Sequence, residues 1–265
     1  MNVFSCIQLP SRDIKPRKNG LTMVIDKNLS PAKLEDLIEQ CGNSIDLMKL
    51  GWGTSVVQDE KNIRSKLDTL RKHSILAMPG GTLTELAWHQ GVIDNYFTEA
   101  AKLGFSCIEV SDGTVDMPHQ EKCKLIQKAK GHNFEVVSEV GSKDSAKDLE
   151  MPIAQRIEQI ELELAAGSFK VIIEARESGT VGIFGKDKNT REDLLVSLVS
   201  AIDVNNLIFE APHSSQQASL IVEFGNSVNL GNISPEEIVS LETYRLGLRS
   251  DTLLHFHLNA TNYSN

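Results

Sequence analysis

Short apolar runs alternate with longer segments of helical period along most of the chain. Eight runs rich in aliphatic and β-branched residues predict strands, at residues 21–26, 45–51, 75–81, 107–113, 134–141, 170–179, 207–212 and 227–232. The segments between them are amphipathic, and several open with Ser-Pro or Pro and close near a Gly, which are signals for the start and the end of a helix. The repeating order is therefore strand, polar loop, helix.

This repeat predicts the fold class. Eight strand–helix units of about 29 residues each fill the length of a (β/α)₈ barrel. A doubly wound sheet would have fewer strands and a glycine-rich fingerprint after the first, yet no G-x-G-x-x-G or Walker A sequence occurs. We therefore predict an α/β fold, a single (β/α)₈ TIM-type barrel over residues 20–250. Residues 1–19 and 251–265 do not continue the repeat, and we interpret them as an N-terminal arm and a C-terminal tail.

Charge and composition exclude several classes of partner. The chain has 27 Lys and Arg against 36 Asp and Glu, a net charge of −9, and no basic tract, so we expect no nucleic-acid partner. No apolar run reaches the roughly 20 residues that a bilayer span needs, and the N-terminus has the wrong order of charges for a secretory signal. The four cysteines lack C-x-x-C spacing and predict reduced thiols. We expect a cytoplasmic protein without a membrane partner.

Charged residues interrupt four of the apolar strands near their carboxyl ends, where the reacting groups of a barrel lie. A charge at such a position is costly unless it is paired or metal-bound, and this applies to Lys49, Glu139, Glu174 and Glu210. The three glutamates occupy equivalent positions on successive strands, and such a group of hard oxygen ligands suits Mg²⁺. A ring of structural salt bridges around the barrel mouth would also explain each charge. Both interpretations stay open from the residues alone.

Candidate anion-binding groups lie at the same predicted rim. Cations there would either neutralise the carboxylates or bind a small anionic substrate beside a metal. Two helix openings, at residues 80–82 and 214–217, offer free backbone N–H groups and hydroxyls to a phosphate, although ordinary turns and helix caps have the same sequence. Our candidate substrate-binding residues are Lys27, Gly80, Gly81, Thr82, Ser111, Asp112, Ser214 and Gln216.

The strand-end segments, read together, resemble the phosphosulfolactate synthase family. The matching blocks are GLTMVIDK, IDLMKLGWGTS, PGGTL, LGFSCIEVSDG, SEVGSK, VIIEARESG, IFEAP, SQQ, SVNLGNI and SLETYRLGLRSDT, in order from residue 20 to residue 252. The resemblance implies an α/β barrel that forms trimers and uses Mg²⁺ to add sulfite to phosphoenolpyruvate, giving (2R)-3-phosphosulfolactate. This reaction begins coenzyme M synthesis in methane-forming archaea and leads to sulfolactate in some bacteria. Plant heat-stress proteins are similar to the same family.

The resemblance also implies roles for single residues. Sulfite attacks the methylene carbon of phosphoenolpyruvate, Mg²⁺ stabilises the charge that moves onto the carboxylate, and a lysine after strand five protonates the central carbon. That lysine is Lys143 here, and a lowered pKa would suit it to work near neutral pH. Ser142 stands where family members often have a second lysine. To Lys143 we add Lys49 and Arg176 as catalytic candidates, and we assign the binding of sulfite, carboxylate and phosphate to Lys49, Lys27 and Arg176. The metal set stays Glu139, Glu174 and Glu210.

Two other functions remain as alternatives. In another metal- or lysine-dependent barrel lyase, a lysine would form a Schiff base with a carbonyl substrate, and borohydride would trap it. A non-catalytic stress-related barrel protein would have lost the charged residues of the rim, and here they are intact. The sequence does not show which pathway uses the product.

Overall fold

The computed structural model describes residues 3–175, 178–180, 182–185 and 190–258. Its strands are β1 (Thr22–Asp26), β2 (Leu47–Leu50), β3 (Leu76–Pro79), β4 (Cys107–Val110), β5 (Glu135–Val140), β6 (Lys170–Ile173), β7 (Leu207–Glu210) and β8 (Leu230–Ile233). Its α-helices are α1 (Pro31–Cys41), α2 (Thr54–Val57), α3 (Glu60–Lys72), α4 (Gly81–His89), α5 (Ile93–Leu103), α6 (His119–Gly131), α7 (Ser145–Glu150), α8 (Ile153–Ala166), α9 (Glu192–Ala201), α10 (Ser214–Phe224), α11 (Ile238–Arg245) and α12 (Ser250–Leu253). Every predicted strand is present.

The strands form one parallel sheet that closes on itself. Their order is β3-β2-β1-β8-β7-β6-β5-β4, and the paired strands are parallel. The two ends of this order meet at Ala77 in β3 and Ser106 before β4. The Ser106 backbone N–H donates to the Ala77 carbonyl oxygen at 3.1 Å, and the Ala77 N–H donates to Ser106 Oγ at 3.0 Å. The predicted (β/α)₈ barrel is confirmed.

Strand alternation divides the barrel interior into an apolar layer and a charged layer. Successive side chains of a strand point to opposite faces, so residues two apart both point inward. The apolar layer is buried and includes Leu47, Cys107, Val137, Ile172 and Ile208. Two residues further along the same strands, nearer to the carboxyl ends, lie Lys49, Glu109, Glu139, Glu174 and Glu210, all buried. Two-residue alternation along the strands therefore places a layer of charged side chains above the apolar layer, which we call the apolar plug.

The residues before β1 are fastened to the opposite end of the barrel. Arg12 Nε lies 2.9 Å from Glu242 Oε1 of α11, and Arg17 Nε lies 2.9 Å from Asp46 Oδ1 before β2. Because these partners lie away from the strand carboxyl ends, the segment closes the bottom of the barrel and stays remote from the charged layer. No helix in the described ranges is both long and apolar enough to cross a bilayer.

Candidate active site

A cavity of about 230 Å³ lies over the charged layer, at the carboxyl ends of the strands. Its wall combines charged strand-end side chains with the backbone at the start of α4. It brings together eight residues that the sequence singled out: Lys49, Gly80, Gly81, Thr82, Glu139, Lys143, Glu174 and Glu210.

Three glutamates converge on one side of this cavity. Glu139 is the penultimate residue of β5, Glu174 follows β6 and Glu210 ends β7, and one carboxylate oxygen of each lies within 4.8 Å of the others. Among the described residues no donor reaches Oε1 of Glu139. Three buried hard oxygens at this separation form a set that fits Mg²⁺, and Glu139 keeps an oxygen that can still accept.

Burial and neighbouring charges move the pKa values of Glu174 and Glu139 in opposite directions. Burial, then the charges of Glu139 and Glu210, raise the pKa of Glu174 well above its usual value. Burial also opposes ionisation of Glu139, but the charges of Lys143 and Lys49 outweigh it and bring that pKa below the usual value. A divalent cation among the three groups would offset the repulsion that contributes to the raised pKa of Glu174.

Lys49 is held in a buried ion-pair network. Its Nζ lies 3.2 Å from Glu109 Oε2 and 3.3 Å from Glu210 Oε1. Burial alone would lower the pKa of Lys49, yet the neighbouring carboxylates raise it. Burial raises the pKa of Glu109 to about 7 although Lys49 opposes this. Lys49 is therefore a fixed cation in the wall, which matches the salt-bridge interpretation for this residue.

Lys143 reaches across the cavity from the loop after β5. Its Nζ lies 3.0 Å from Thr82 Oγ1 and 3.7 Å from Glu85 Oε1, and its side chain is 30% exposed. Burial lowers the pKa of Lys143, but the carboxylates of Glu139 and Glu85 outweigh it and raise that pKa. The lowered pKa expected from the sequence is therefore wrong. The ammonium is protonated at neutral pH and can donate a proton into the cavity.

A tryptophan and a lysine lie together at the cavity mouth. Trp52 lines the cavity, is 62% exposed and has a φ of 56°, between Gly51 and Gly53. Lys27 Nζ lies 4.6 Å from the Trp52 ring centroid, within cation–π distance. Lys27 is thus a rim cation beside the cavity.

The glycines at the start of α4 allow a close approach to β4 and to the end of β2. A Cβ atom on Gly81 would lie 2.7 Å from Glu109 Oε1, and one on Gly80 would lie 3.4 Å from the Gly51 Cα. The first backbone N–H groups of a helix have no partner within the helix. The cavity-lining residues Gly81 and Thr82 therefore supply such groups for an anion.

Two candidate substrate-binding residues after β4 are engaged elsewhere. Ser111 is buried and donates to Glu85 Oε1 at 2.6 Å. Asp112 Oδ1 lies 2.8 Å from Lys122 Nζ, and Asp112 lines a neighbouring cavity of about 670 Å³ that Lys143 also lines. Neither lines the cavity above the glutamates.

The candidates after β7 act at a helix terminus. Ser214 begins α10, and Gln216 Oε1 accepts from the His213 N–H at 3.3 Å. Gln216 Nε2 donates to the Gly179 carbonyl oxygen at 2.9 Å. These contacts match the capping interpretation, and the two residues do not line the cavity. Arg176 lies outside the described residues.

Three cavity residues with polar or aromatic side chains were absent from the sequence-based candidates. Glu109 is the penultimate residue of β4, as Glu139 is of β5, so strand period could have selected it. Trp52 had only its flanking glycines as a signal. Asn232 lines the cavity. Its φ is 55°, and the spacing of residues in the sequence does not predict this backbone conformation.

The comparisons with known proteins agree with this arrangement. A family model described as (2R)-phospho-3-sulfolactate synthase (ComA) matches residues 10–251. The phosphosulfolactate synthase of Methanothermobacter thermautotrophicus is 44% identical, over 96% of this chain and 98% of that protein. The phosphosulfolactate synthase of Bacillus subtilis is 40% identical, over 95% and 99%. The solved HpcH/HpaI aldolase of Desulfitobacterium hafniense has a TM-score of 0.56 at 10% identity, covers 86% and 90% of the two chains, and shares the fold alone. The chain belongs to the (2R)-phospho-3-sulfolactate synthase (ComA) family.

Proposed function

We propose that the protein catalyses the Mg²⁺-dependent, stereospecific addition of sulfite to phosphoenolpyruvate, giving (2R)-3-phosphosulfolactate, and is thus a lyase that forms a C–S bond. The observation that carries this proposal is the convergence of Glu139, Glu174 and Glu210 within 4.8 Å beside the ammonium of Lys143. Family membership and the names of the relatives support the same reaction.

The electron flow requires stabilisation of charge on the substrate carboxylate. The sulfite sulfur donates an electron pair to the methylene carbon, a C–S bond forms, and the C=C electrons move toward the carboxylate. Mg²⁺ held by Glu139, Glu174 and Glu210 would act as a Lewis acid on that developing charge. The phosphate ester remains intact throughout.

Lys143 completes the reaction by donating its proton to the central carbon, and solvent restores that proton afterwards. Thr82 and Glu85 hold the ammonium on one side of the cavity, so the proton reaches one face of the carbon. Lys49 stays charged between Glu109 and Glu210, and in this mechanism it neutralises and orients the wall.

The substrate phosphate is best accommodated at the start of α4. Gly81 and Thr82 offer N–H groups there, and Lys27 adds a positive charge at the rim. These local groups are required because the whole chain carries a net charge of −9, which repels an anionic substrate.

On the resemblance alone we also propose a cytoplasmic homotrimer. Sedimentation equilibrium measures the mass of the assembly directly, and a monomer mass of 29.2 kDa at micromolar concentration would contradict the trimer.

Mass spectrometry of the reaction mixture tests the proposed reaction. The purified protein is incubated with phosphoenolpyruvate and sulfite, first with Mg²⁺, then with a chelator, then with Mg²⁺ restored. We expect phosphosulfolactate in the first and third samples and none in the second. Absence of product from all three contradicts the reaction, and equal product in all three contradicts the metal requirement.

Borohydride in the presence of substrate distinguishes the rival lyase mechanism. The proposed reaction forms no imine, so the mass of the protein should stay unchanged. A reduced adduct on a lysine would favour the Schiff-base alternative.

A further inference from the structure

Glu85 is a buried carboxylate on α4 that lies outside the wall of the cavity. Only 1% of the residue is exposed, so its charge must be satisfied by protein groups. Oε1 accepts from Ser111 Oγ at 2.6 Å, and Oε2 accepts from the N–H groups of Thr114 at 2.9 Å and Val115 at 3.1 Å. All three donors belong to the loop after β4. Glu85 therefore fixes the backbone of that loop.

The loop after β4 in turn contacts Lys143. The Lys143 N–H donates to the Gly113 carbonyl oxygen at 3.2 Å. A Cβ atom on Gly113 would lie only 3.3 Å from Lys143 Cγ, so the lysine stem packs directly on the Gly113 backbone. A shift of the loop would therefore move both the main chain and the side chain of Lys143.

Glu85 also acts on the Lys143 ammonium directly. Oε1 of Glu85 lies 3.7 Å from Lys143 Nζ, and Thr82 Oγ1, three residues earlier on α4, lies 3.0 Å from the same atom. Residues three apart share one face of a helix. One face of α4 thus contacts both the loop after β4, on which the stem of Lys143 packs, and the ammonium group of Lys143.

We infer that Glu85 is a positioning residue: it sets the direction in which Lys143 delivers its proton, through the loop after β4 and through its own charge, without touching the substrate. The inference rests on the proposed function for its effect on turnover. The position of Lys143 is measurable independently of that function.

Two substitutions separate the two parts of this role. Glu85→Gln has nearly the same shape, so its amide oxygen can still accept from Thr114 and Val115, while Ser111 can accept from its amide N–H; only the charge is lost. Glu85→Ala removes the charge and the loop contacts. Because a misplacement of about 1 Å can slow a reaction about 100-fold, we expect kcat to fall about 100-fold in Glu85→Ala and less in Glu85→Gln. We expect KM for phosphoenolpyruvate to stay within about twofold, since Glu85 lies outside the cavity wall.

Glu242→Gln is the matched control. Glu242 also forms a carboxylate contact, with Arg12, but it is less buried than Glu85 and lies at the opposite end of the barrel. We expect this variant to lose some stability and to keep its kcat. An equal loss of kcat in Glu242→Gln and Glu85→Ala would show that Glu85 affects kcat only through the stability of the protein.

Acetylation of Lys143, followed by peptide mass spectrometry, provides a readout that needs no turnover. The exposed Lys147 on α7 serves as the internal reference. We expect Lys143 to react several-fold faster, relative to Lys147, in Glu85→Ala than in the unaltered protein, with Glu85→Gln between them. An unchanged ratio in Glu85→Ala, or a kcat within twofold of the unaltered protein, overturns the inference. An unaltered protein that makes no phosphosulfolactate overturns the proposed function instead.

Discussion

Two lysines of the same cavity differ in their roles because their partners differ. Lys49 is buried, with two carboxylates within 3.3 Å, whereas the side chain of Lys143 is 30% exposed and extends over the cavity from a loop. Carboxylates raise the pKa of both residues. Only Lys143 combines a retained proton with access to a bound molecule, which makes it the candidate proton donor.

Lys143→Met keeps most of the aliphatic stem and removes the proton. We expect kcat to fall by about 10² to 10⁴-fold, the contribution of a positioned general acid, while phosphoenolpyruvate binding weakens only a few-fold. Stopped-flow turnover and equilibrium dialysis measure the two quantities. Lys147→Met is the control. Full activity of Lys143→Met would show that another residue donates the proton.

His119 makes stability depend on pH. Burial first, and then the charge of Lys122, lower its pKa below the ordinary histidine value of about 6.5. Below that value the unfolded chain binds the proton more readily than the folded protein, so acidification favours unfolding. We expect the free energy of unfolding to fall from pH 7.5 to 5.5 by more in the unaltered protein than in His119→Gln. Urea titrations at both pH values measure this difference, and equal decreases would contradict it.

At the scale of elements, strand period determined most of what the sequence could predict. Two-residue alternation identified the strands and placed Glu139, Glu174 and Glu210 on one inner face. It did not find Glu85, because that side chain acts between α4 and the loop after β4, and no spacing within either segment records the contact. Strand alternation also did not show whether Ser214 caps a helix or binds an anion, since both roles favour serine at the start of a helix.

Gly141 marks the point where the loop after β5 leaves the barrel. Its φ is 136°, and a Cβ there would lie 2.7 Å from the Cβ of Glu174. Gly141→Ala should therefore displace a candidate metal ligand as well as strain the backbone. We expect a loss of roughly 1–3 kcal/mol in the free energy of unfolding, measured with urea, together with most of the activity.

Gly91→Ala separates strain from displacement. Gly91 has a φ of 71° and nothing within 4 Å of the position that a Cβ would occupy. It should lose roughly 1 kcal/mol of stability and keep its turnover. If Gly141→Ala keeps as much activity as Gly91→Ala, a Cβ atom at Gly141 does not displace Glu174.

For the whole molecule, the apolar plug and the buried carboxylates above it make opposing contributions to stability. Burial, and then the charges of Glu139 and Glu210, raise the pKa of Glu174, because ionising a third carboxyl group in one buried place is unfavourable. A bound cation would make that ionisation more favourable. The resting molecule is therefore expected to gain stability from Mg²⁺ before any substrate binds.

Thermal unfolding with and without Mg²⁺ tests this coupling. A ligand at 100 times its Kd stabilises the folded state by about 2.7 kcal/mol, so we expect a clear rise in Tm for the unaltered protein. Glu174→Gln should lose that rise and, in chelator, melt no lower than the unaltered protein, because the amide replaces a carboxyl group whose ionisation is unfavourable beside Glu139 and Glu210. An identical Mg²⁺ shift in both proteins would place the cation at another site.

The most direct test of the whole mechanism is the product made from phosphoenolpyruvate and sulfite in D₂O with Mg²⁺, measured by mass spectrometry and chiral chromatography. A proton delivered by Lys143 from one face predicts phosphosulfolactate with one deuterium on the central carbon and a single configuration. No product, or equal amounts of both configurations, would contradict addition at this cavity with Lys143 as the donor.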